Sequence, residues 1–289
     1  MVISPKLRQK RSSSVKESSL VDVGSSFKFL HVLPGHHANP IHLCRKRDTF
    51  KLYAMTIVRK DRTTSSAHVR HIETEREISQ FILSLCNPFL APYLWIFQDE
   101  TAFYSVSDFY GGGNLREHIE QEGPISLDRA YFFACEILVG LNALHEEGIV
   151  HRDLRPENIM INVSGHIAIA GFQYSGNAQS PASLQQLGNN EYQPPEVLLG
   201  WAHDVKVDSW SFGTILHMML FSSHPFVTTD DRDNAAVLQA KVVHCPVSFP
   251  NSRTVSWAAQ DLIAHCLQRN SALRYDVRAI KAHVYFCSV

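Results

Sequence analysis

No apolar run in the chain approaches the roughly 18 residues that a membrane-spanning helix needs, and no apolar segment stands at the N-terminus to act as a secretion signal. No C-x-x-C pair occurs either. The six cysteines (Cys44, Cys86, Cys135, Cys245, Cys266 and Cys287) are scattered. Together these absences favour free thiols in a reducing, intracellular compartment, cytoplasmic or nuclear. A basic excess is missing too. The formal net charge is −1, so neither a nucleic acid nor a membrane surface is the expected partner.

What is present is enough for a sizeable core. Of 289 residues, 45% are apolar and 19% charged, the balance of a globular protein with one large or two-lobed domain. Residues 1–26 stand apart. "SPKLRQKRSSSVKESSL" is basic, serine-rich and without an aromatic residue, and it reads as a disordered tail because it cannot bury enough apolar surface to offset its ordering entropy. "FKFLHVL", "PIHLCRK" and "KLYAMTIV" then alternate in the manner of strands. Residues 65–86 switch to a helical period carried by Val69, Ile72, Ile78, Phe81, Ile82 and Leu85, and "PYLWIFQD" and "AFYSVSDF" give two more strands. "YGGGNL" breaks the pattern as a hinge. Beyond it, Ala130, Phe133, Ile137, Leu141 and Leu144 mark a helix over 126–147, with Ser126 as its expected N-cap and Gly148 as its stop. The layout is α+β: a small β-rich lobe over 27–110 and a larger α-rich lobe over 111–289.

"HRDLRPENIMI" (His151 to Ile161) resembles the catalytic loop of eukaryotic protein kinases, H-R-D-x-x-x-x-N. Phosphoryl transfer needs a carboxylate to orient the substrate hydroxyl and an amide oxygen to hold Mg²⁺. The resemblance puts Asp153 and Asn158 in those roles. "GNNEYQPPEVLLG" resembles the segment that closes on an acid, here Glu196, and Arg274 in "RNSALRY" matches the arginine that pairs with it. "VDSWSFGTIL" resembles the helix that follows. The resemblance runs over about 27–286, implies a bilobal protein-kinase fold, and is greatest to the AGC and calcium/calmodulin groups. Asp153, His151, Arg152 and the Asp208–Trp210–Gly213 helix also hold the large lobe together through buried hydrogen bonds, so these residues persist without catalysis as readily as with it.

The same alignment fails where nucleotide is handled. The three glycines of the phosphate loop fall on Pro34, His36 and Asn39. Proline has no N–H to offer and fixes φ, and the branched His36 and His37 crowd the space for phosphates. Thr56 occupies the position of the third-strand lysine in "YAMT". Arg59 faces the other way by strand alternation, and Lys60 lies about 13 Å along at roughly 3.3 Å per residue. Lys28 and Lys51 are not placed to substitute. Glu77 is the best match for the helix glutamate, since Phe81 then falls four residues on, with Glu75 as the alternative. "GHIAIAGFQYSG" puts Gly171 at the metal-binding aspartate and Phe172 at the phenylalanine that packs against Phe81. Arg155 replaces a lysine of the catalytic loop, and Asn189 a threonine that steadies the catalytic aspartate.

These departures imply a pseudokinase: a scaffold or allosteric regulator that works through protein partners, an active kinase among them, and needs no cofactor. Two rivals stay open. One is a divergent serine/threonine kinase using Asp153, Asn158 and Arg155. The other is a sensor that holds ATP without Mg²⁺, through the hinge at Asp108–Tyr110 behind a small residue, Ser107. Ser175, Ser180 and Ser183 are candidate phosphosites in the activation segment, and the resemblance places Arg152 where such a phosphate is received.

Overall fold

The computed structural model describes residues 23–33, 40–62, 66–178, 190–226, 234–250 and 255–287. Pro34, His36, His37, Asn39, Ser180, Ser183 and Asn189, and the basic tail up to residue 22, lie outside the described residues. Residues 23–26, which the sequence reading places in the tail, are ordered as a helical turn. A helical turn, α1 (Val23–Ser26), docks on the sheet because the Gly24 carbonyl accepts from Arg47 Nε at 3.0 Å and the Ser26 carbonyl from the Arg47 N–H at 3.0 Å.

Five strands follow: β1 (Phe27–Val32), β2 (Ile41–Lys46), β3 (Leu52–Arg59), β4 (Trp95–Gln98) and β5 (Ala102–Asp108), with helix α2 (Ser66–Leu85) between β3 and β4. They form one antiparallel sheet in the order β1-β2-β3-β5-β4. Period-two alternation sorts the faces. Tyr53 and Met55 of β3 and Tyr104 and Val106 of β5 bury one face with Phe27 and Cys44. On the other face Ala54 registers against Ser107, and Thr56 against Ser105.

The hinge leads into the helical lobe. Its glycines exchange backbone hydrogen bonds with the strand below, Gly112 N–H to the Ile161 carbonyl at 2.9 Å and Ile161 N–H to the Gly113 carbonyl at 2.8 Å. Helix α3 (Leu115–Glu122) starts at a reciprocal cap in which the Asn114 side chain accepts from Glu117 N–H and the Glu117 carboxylate accepts from Asn114 N–H. Helix α4 (Leu127–Glu146) buries all five residues expected of it, Ala130, Phe133, Ile137, Leu141 and Leu144. Ser126 is the N-cap, as expected, and its carbonyl accepts from Ala130 N–H at 2.9 Å, but its side chain makes no capping bond. Gly148, at φ +71°, does turn the chain out of the helix.

Two short two-stranded sheets carry the loops that matter. β6 (Ile149–Val150) pairs with β9 (Gly176–Asn177), and β7 (Ile159–Ile161) with β8 (Ile167–Ile169). The remainder is helical: α5 (Pro195–Leu198), α6 (Lys206–Phe221), α7 (Ala235–His244), α8 (Trp257–Cys266), α9 (Val277–Lys281) and α10 (Val284–Cys287). Helix α6 is buried on every side from Val207 to Leu220, so it forms the axis of the lobe. Gly213 lets α8 approach it, since a β-carbon there would stand 2.6 Å from that of Cys266. Among the described residues no helix is long and apolar enough to cross a membrane.

Candidate active site

The catalytic-loop string lies between β6 and β7 and is built on one buried carboxylate. Asp208 of α6 accepts from the N–H groups of His151 at 2.8 Å and Arg152 at 2.9 Å, and from His145 Nε2 at 2.7 Å. Burial pushes its carboxyl up, but the hydrogen bond and charge of His145, with His151, carry it below the ordinary carboxylate range. Arg152 is held at φ +67°, a conformation unusual for a residue with a side chain. Its carbonyl accepts from Gln193 at 2.8 Å. His151 locks the next layer: Nε2–H donates to the Ala170 carbonyl at 2.9 Å, and Nδ1 accepts from Asp153 N–H at 3.2 Å.

Asp153 and Asn158 are thereby brought together. Asn158 Nδ2 donates to the Asp153 carbonyl at 2.7 Å and to Asp153 Oδ2 at 3.1 Å. Arg155 Nε stands 3.7 Å from the same carboxylate oxygen. Asp153 is 4% exposed. The bracing expected of His151, Arg152 and Asp208 is therefore present, and Asp153, Asn158 and Arg155 lie together.

The far side of the loop is different. Gly171 follows β8 in the left-handed region, at φ +81°, ψ +51°. A β-carbon at this residue would meet Cγ and Nδ2 of Asn158 at 2.6 Å. The side-chain donors at this end of the cleft are the Asn158 amide oxygen and the Asp153 carboxylate, and residue 171 adds backbone only. Phe172 is 1% exposed and meets the His151 ring edge-on at 5.2 Å. Phe81 is partly buried and packs against the large hydrophobic cluster to which Phe172 belongs.

The roof of the cleft is the β3–β5 face of small residues, Ala54, Thr56, Ser105 and Ser107, all half-buried. The nearby lysines are engaged elsewhere. Lys51 pairs with Asp108 at 2.6 Å, and Lys60 donates to the Asp99 carbonyl at 2.5 Å while lying 5.0 Å over the Phe103 ring.

The helix glutamate must be reassigned. Glu77 is exposed, while Ile78, Ser79 and Ile82 are buried. The inward stripe of α2 thus runs through 75, 78, 79 and 82 at helical spacing, and Glu75 faces the cleft. Burial pushes its carboxyl up to about 8. Its neighbour is Tyr93, a residue that sequence reasoning did not single out. The Glu75 charge first, and burial second, drive the Tyr93 hydroxyl well above its ordinary range, opposed by a hydrogen bond with the Thr56 side chain. Where the resemblance implies a lysine–glutamate ion pair, this chain has a threonine, a tyrosine and a carboxyl group whose pKa burial raises. Tyr174, just after Phe172, completes the surround. Burial raises its hydroxyl pKa, as do Asp153 and Glu75, while Arg155 lowers it.

At the hinge, Asp108 and Tyr110 line a cavity of about 310 Å³ with Ile82, Cys86, Leu90 and Leu94, which shares no residue with the cleft roof or the catalytic loop. Burial and the Asp108 charge push the Tyr110 hydroxyl up to about 12. Below the cleft, Arg274 grips Glu196 through two hydrogen bonds, at 2.5 and 2.9 Å, with both side chains buried. This is the pair that the sequence resemblance implied.

One candidate phosphosite is buried. Ser175 is 3% exposed and its hydroxyl donates to the His151 carbonyl at 3.1 Å, because the β6–β9 pairing draws the segment under the catalytic loop. The Arg152 guanidinium opposite donates to the Asn177 carbonyl at 2.9 Å.

A five-stranded antiparallel lobe joined through a glycine hinge to a helical lobe, with an aspartate–asparagine loop between them, is the bilobal α+β arrangement that the sequence implied. The chain belongs to the protein kinase family: the model of the protein kinase domain matches residues 37–286. Among curated proteins it is 32% identical to the serine/threonine protein kinase ypkA of Aspergillus fumigatus, over 84% of this chain and 38% of that protein. It is 35% identical to the serine/threonine-protein kinase sck2 of Schizosaccharomyces pombe, over 85% of this chain and 38% of that protein. It is 32% identical to gad8, a serine/threonine-protein kinase of the same yeast, over 90% of this chain and 45% of that protein. The chain thus spans less than half the length of these three relatives.

Proposed function

We propose that this protein kinase domain has lost phosphoryl transfer and acts through protein contacts, as a scaffold or allosteric regulator of signalling partners. The observation that carries this reading is residue 171. Phosphoryl transfer is almost entirely positioning and charge neutralisation. Mg²⁺ favours carboxylate oxygens in a near-octahedral set, and Gly171 supplies none, while the Asn158 amide fills the space its side chain would need. Thr56 supports the same reading, because it carries no charge and is hydrogen-bonded to Tyr93 rather than available to phosphates. The donor set does not fit a metal–nucleotide complex held for transfer. Each missing preorganised group typically costs about 3–4 kcal/mol of transition-state stabilisation, and about 1.4 kcal/mol is a tenfold rate loss.

A second reading is a divergent serine/threonine kinase. It is favoured by the intact Asp153–Asn158 contact and by relatives that carry the name of serine/threonine kinases. Calorimetry of ATP binding with and without Mg²⁺ separates the two. Absence of binding in either condition supports the scaffold. ATP binding that is indifferent to Mg²⁺ supports a nucleotide-sensing regulator held through the hinge. Binding that tightens at least tenfold with Mg²⁺ overturns the reading and favours the kinase.

A further inference from the structure

Far from the cleft, three potential ligands converge on the helical lobe. Asp261 and His265 lie one turn apart on α8, and His283 comes from the corner between α9 and α10. We propose that Asp261, His265 and His283 form a zinc site that fastens the C-terminal helices to α8. Asp261 Oδ2 stands 3.0 Å from His283 Nε2 and 3.5 Å from His265 Nδ1. All three ligand atoms lie within 4.8 Å of one another. Tetrahedral zinc with bonds of about 2.0–2.1 Å sets its ligands about 3.3 Å apart. Two of the three separations are already at that value to within a few tenths of an ångström, and the third is no more than 4.8 Å.

The chemistry of the donors selects the ion. Two imidazoles and one carboxylate suit zinc, whereas Mg²⁺ and Ca²⁺ favour all-oxygen sets. The His283 side chain is 8% exposed, while those of Asp261 and His265 are 26% and 34% exposed. One side of the site therefore faces solvent and leaves a fourth position for water. The His265 ring is fixed by stacking on Tyr275 at 4.3 Å between centroids.

Without metal, hydrogen bonds hold the same geometry. His283 Nδ1 accepts from Tyr285 N–H at 3.2 Å, so its Nε2–H donates to Asp261. His265 Nδ1–H donates to the Asp261 carbonyl at 2.9 Å. Zinc binding through His283 Nε2 and His265 Nδ1 places each ring proton on the other nitrogen. The exchange gives up the Tyr285 contact and the His265 contact, together with the His283–Asp261 hydrogen bond, for three metal bonds. The helices it would tie already close on α4, where the Tyr131 hydroxyl donates to the Phe286 carbonyl at 3.3 Å.

The test is a Zn²⁺ titration of the metal-stripped full chain by calorimetry. The expected result is saturable binding of one Zn²⁺ in the micromolar range or tighter, weakened at least about tenfold by His283→Ala, His265→Gln or Asp261→Asn, and unchanged by His244→Ala at the exposed end of α7. If His283→Ala fails to fold, the more exposed His265→Gln and Asp261→Asn carry the test. Absence of saturable binding, or binding that survives the ligand substitutions, overturns the proposal and leaves a hydrogen-bonded cluster.

Discussion

The side-chain amide of Asn158 lies where a β-carbon on residue 171 would have to stand, 2.6 Å from it. The amide is not free to swing aside, because Nδ2 is held by the Asp153 carbonyl at 2.7 Å and the Asp153 carboxylate at 3.1 Å. Putting back an aspartate at 171 is therefore not a simple restoration. Gly171→Asp is expected to lower stability by about 1–3 kcal/mol, from the crowding and the positive φ. The Asn158→Ala, Gly171→Asp double variant is expected to be more stable than the sum of the two single losses. Urea denaturation of the four proteins of the cycle measures the coupling.

Glu75 gives the molecule a pH signature. Its carboxyl is raised from 4.5 to about 8 by burial. Between those values the folded protein keeps a proton that the unfolded chain has lost, so the group's contribution to stability is greatest below about pH 4.5 and is lost as pH rises through about 8. Glu75→Gln removes the dependence. The stability of this variant relative to wild type is expected to rise by about 1–3 kcal/mol between pH 5 and pH 8, read from denaturation midpoints at the two pH values. A flat difference would contradict the inward placement of Glu75.

The buried position of Ser175 makes it a poor acceptor of charge. Ser175→Asp places an unpaired carboxylate against the His151 carbonyl that the hydroxyl now serves. A loss of about 2 kcal/mol or more is expected, while Ser175→Ala costs about 1 kcal/mol. Thermal melts of the two variants check the ordering.

The Glu196–Arg274 pair predicts an asymmetry of another kind. Removing either partner leaves the other charge buried without its mate, and Glu196→Ala or Arg274→Ala is expected to cost about 3–5 kcal/mol. Arg274 also lies 5.1 Å over the Trp210 ring, so its loss also exposes packing around α6. Replacing both partners is expected to cost less than the sum of the two single losses, as a double-mutant cycle will read.

Much of this architecture is legible in the chain because local period and burial agree. The alternation of β3 sends Tyr53 and Met55 into one core, and the helical spacing of α4 buries all five expected residues. The aspartate–asparagine loop is legible because its spacing is strict. The phase of α2 is not. Apolar residues stand on adjacent stripes, Ile78 and Ile82 on one and Phe81 on the next, and one residue of rotation decides which glutamate turns inward. The true stripe includes Ser79, whose hydroxyl accepts from Tyr93 N–H at 3.3 Å, a partner that no local pattern reveals. Tyr93 beside Thr56 was hidden for the same reason. Ser175 looked like a loop serine because the pairing of β6 with β9 that buries it is remote in sequence.

The most direct test of the account is phosphoryl transfer by the purified chain, from ATP labelled at the γ-position, onto itself and a generic basic protein, with Mg²⁺ and then Mn²⁺. The account predicts transfer no higher than that of Asp153→Asn under either metal. Transfer clearly above background, and abolished by Asp153→Asn, would contradict it.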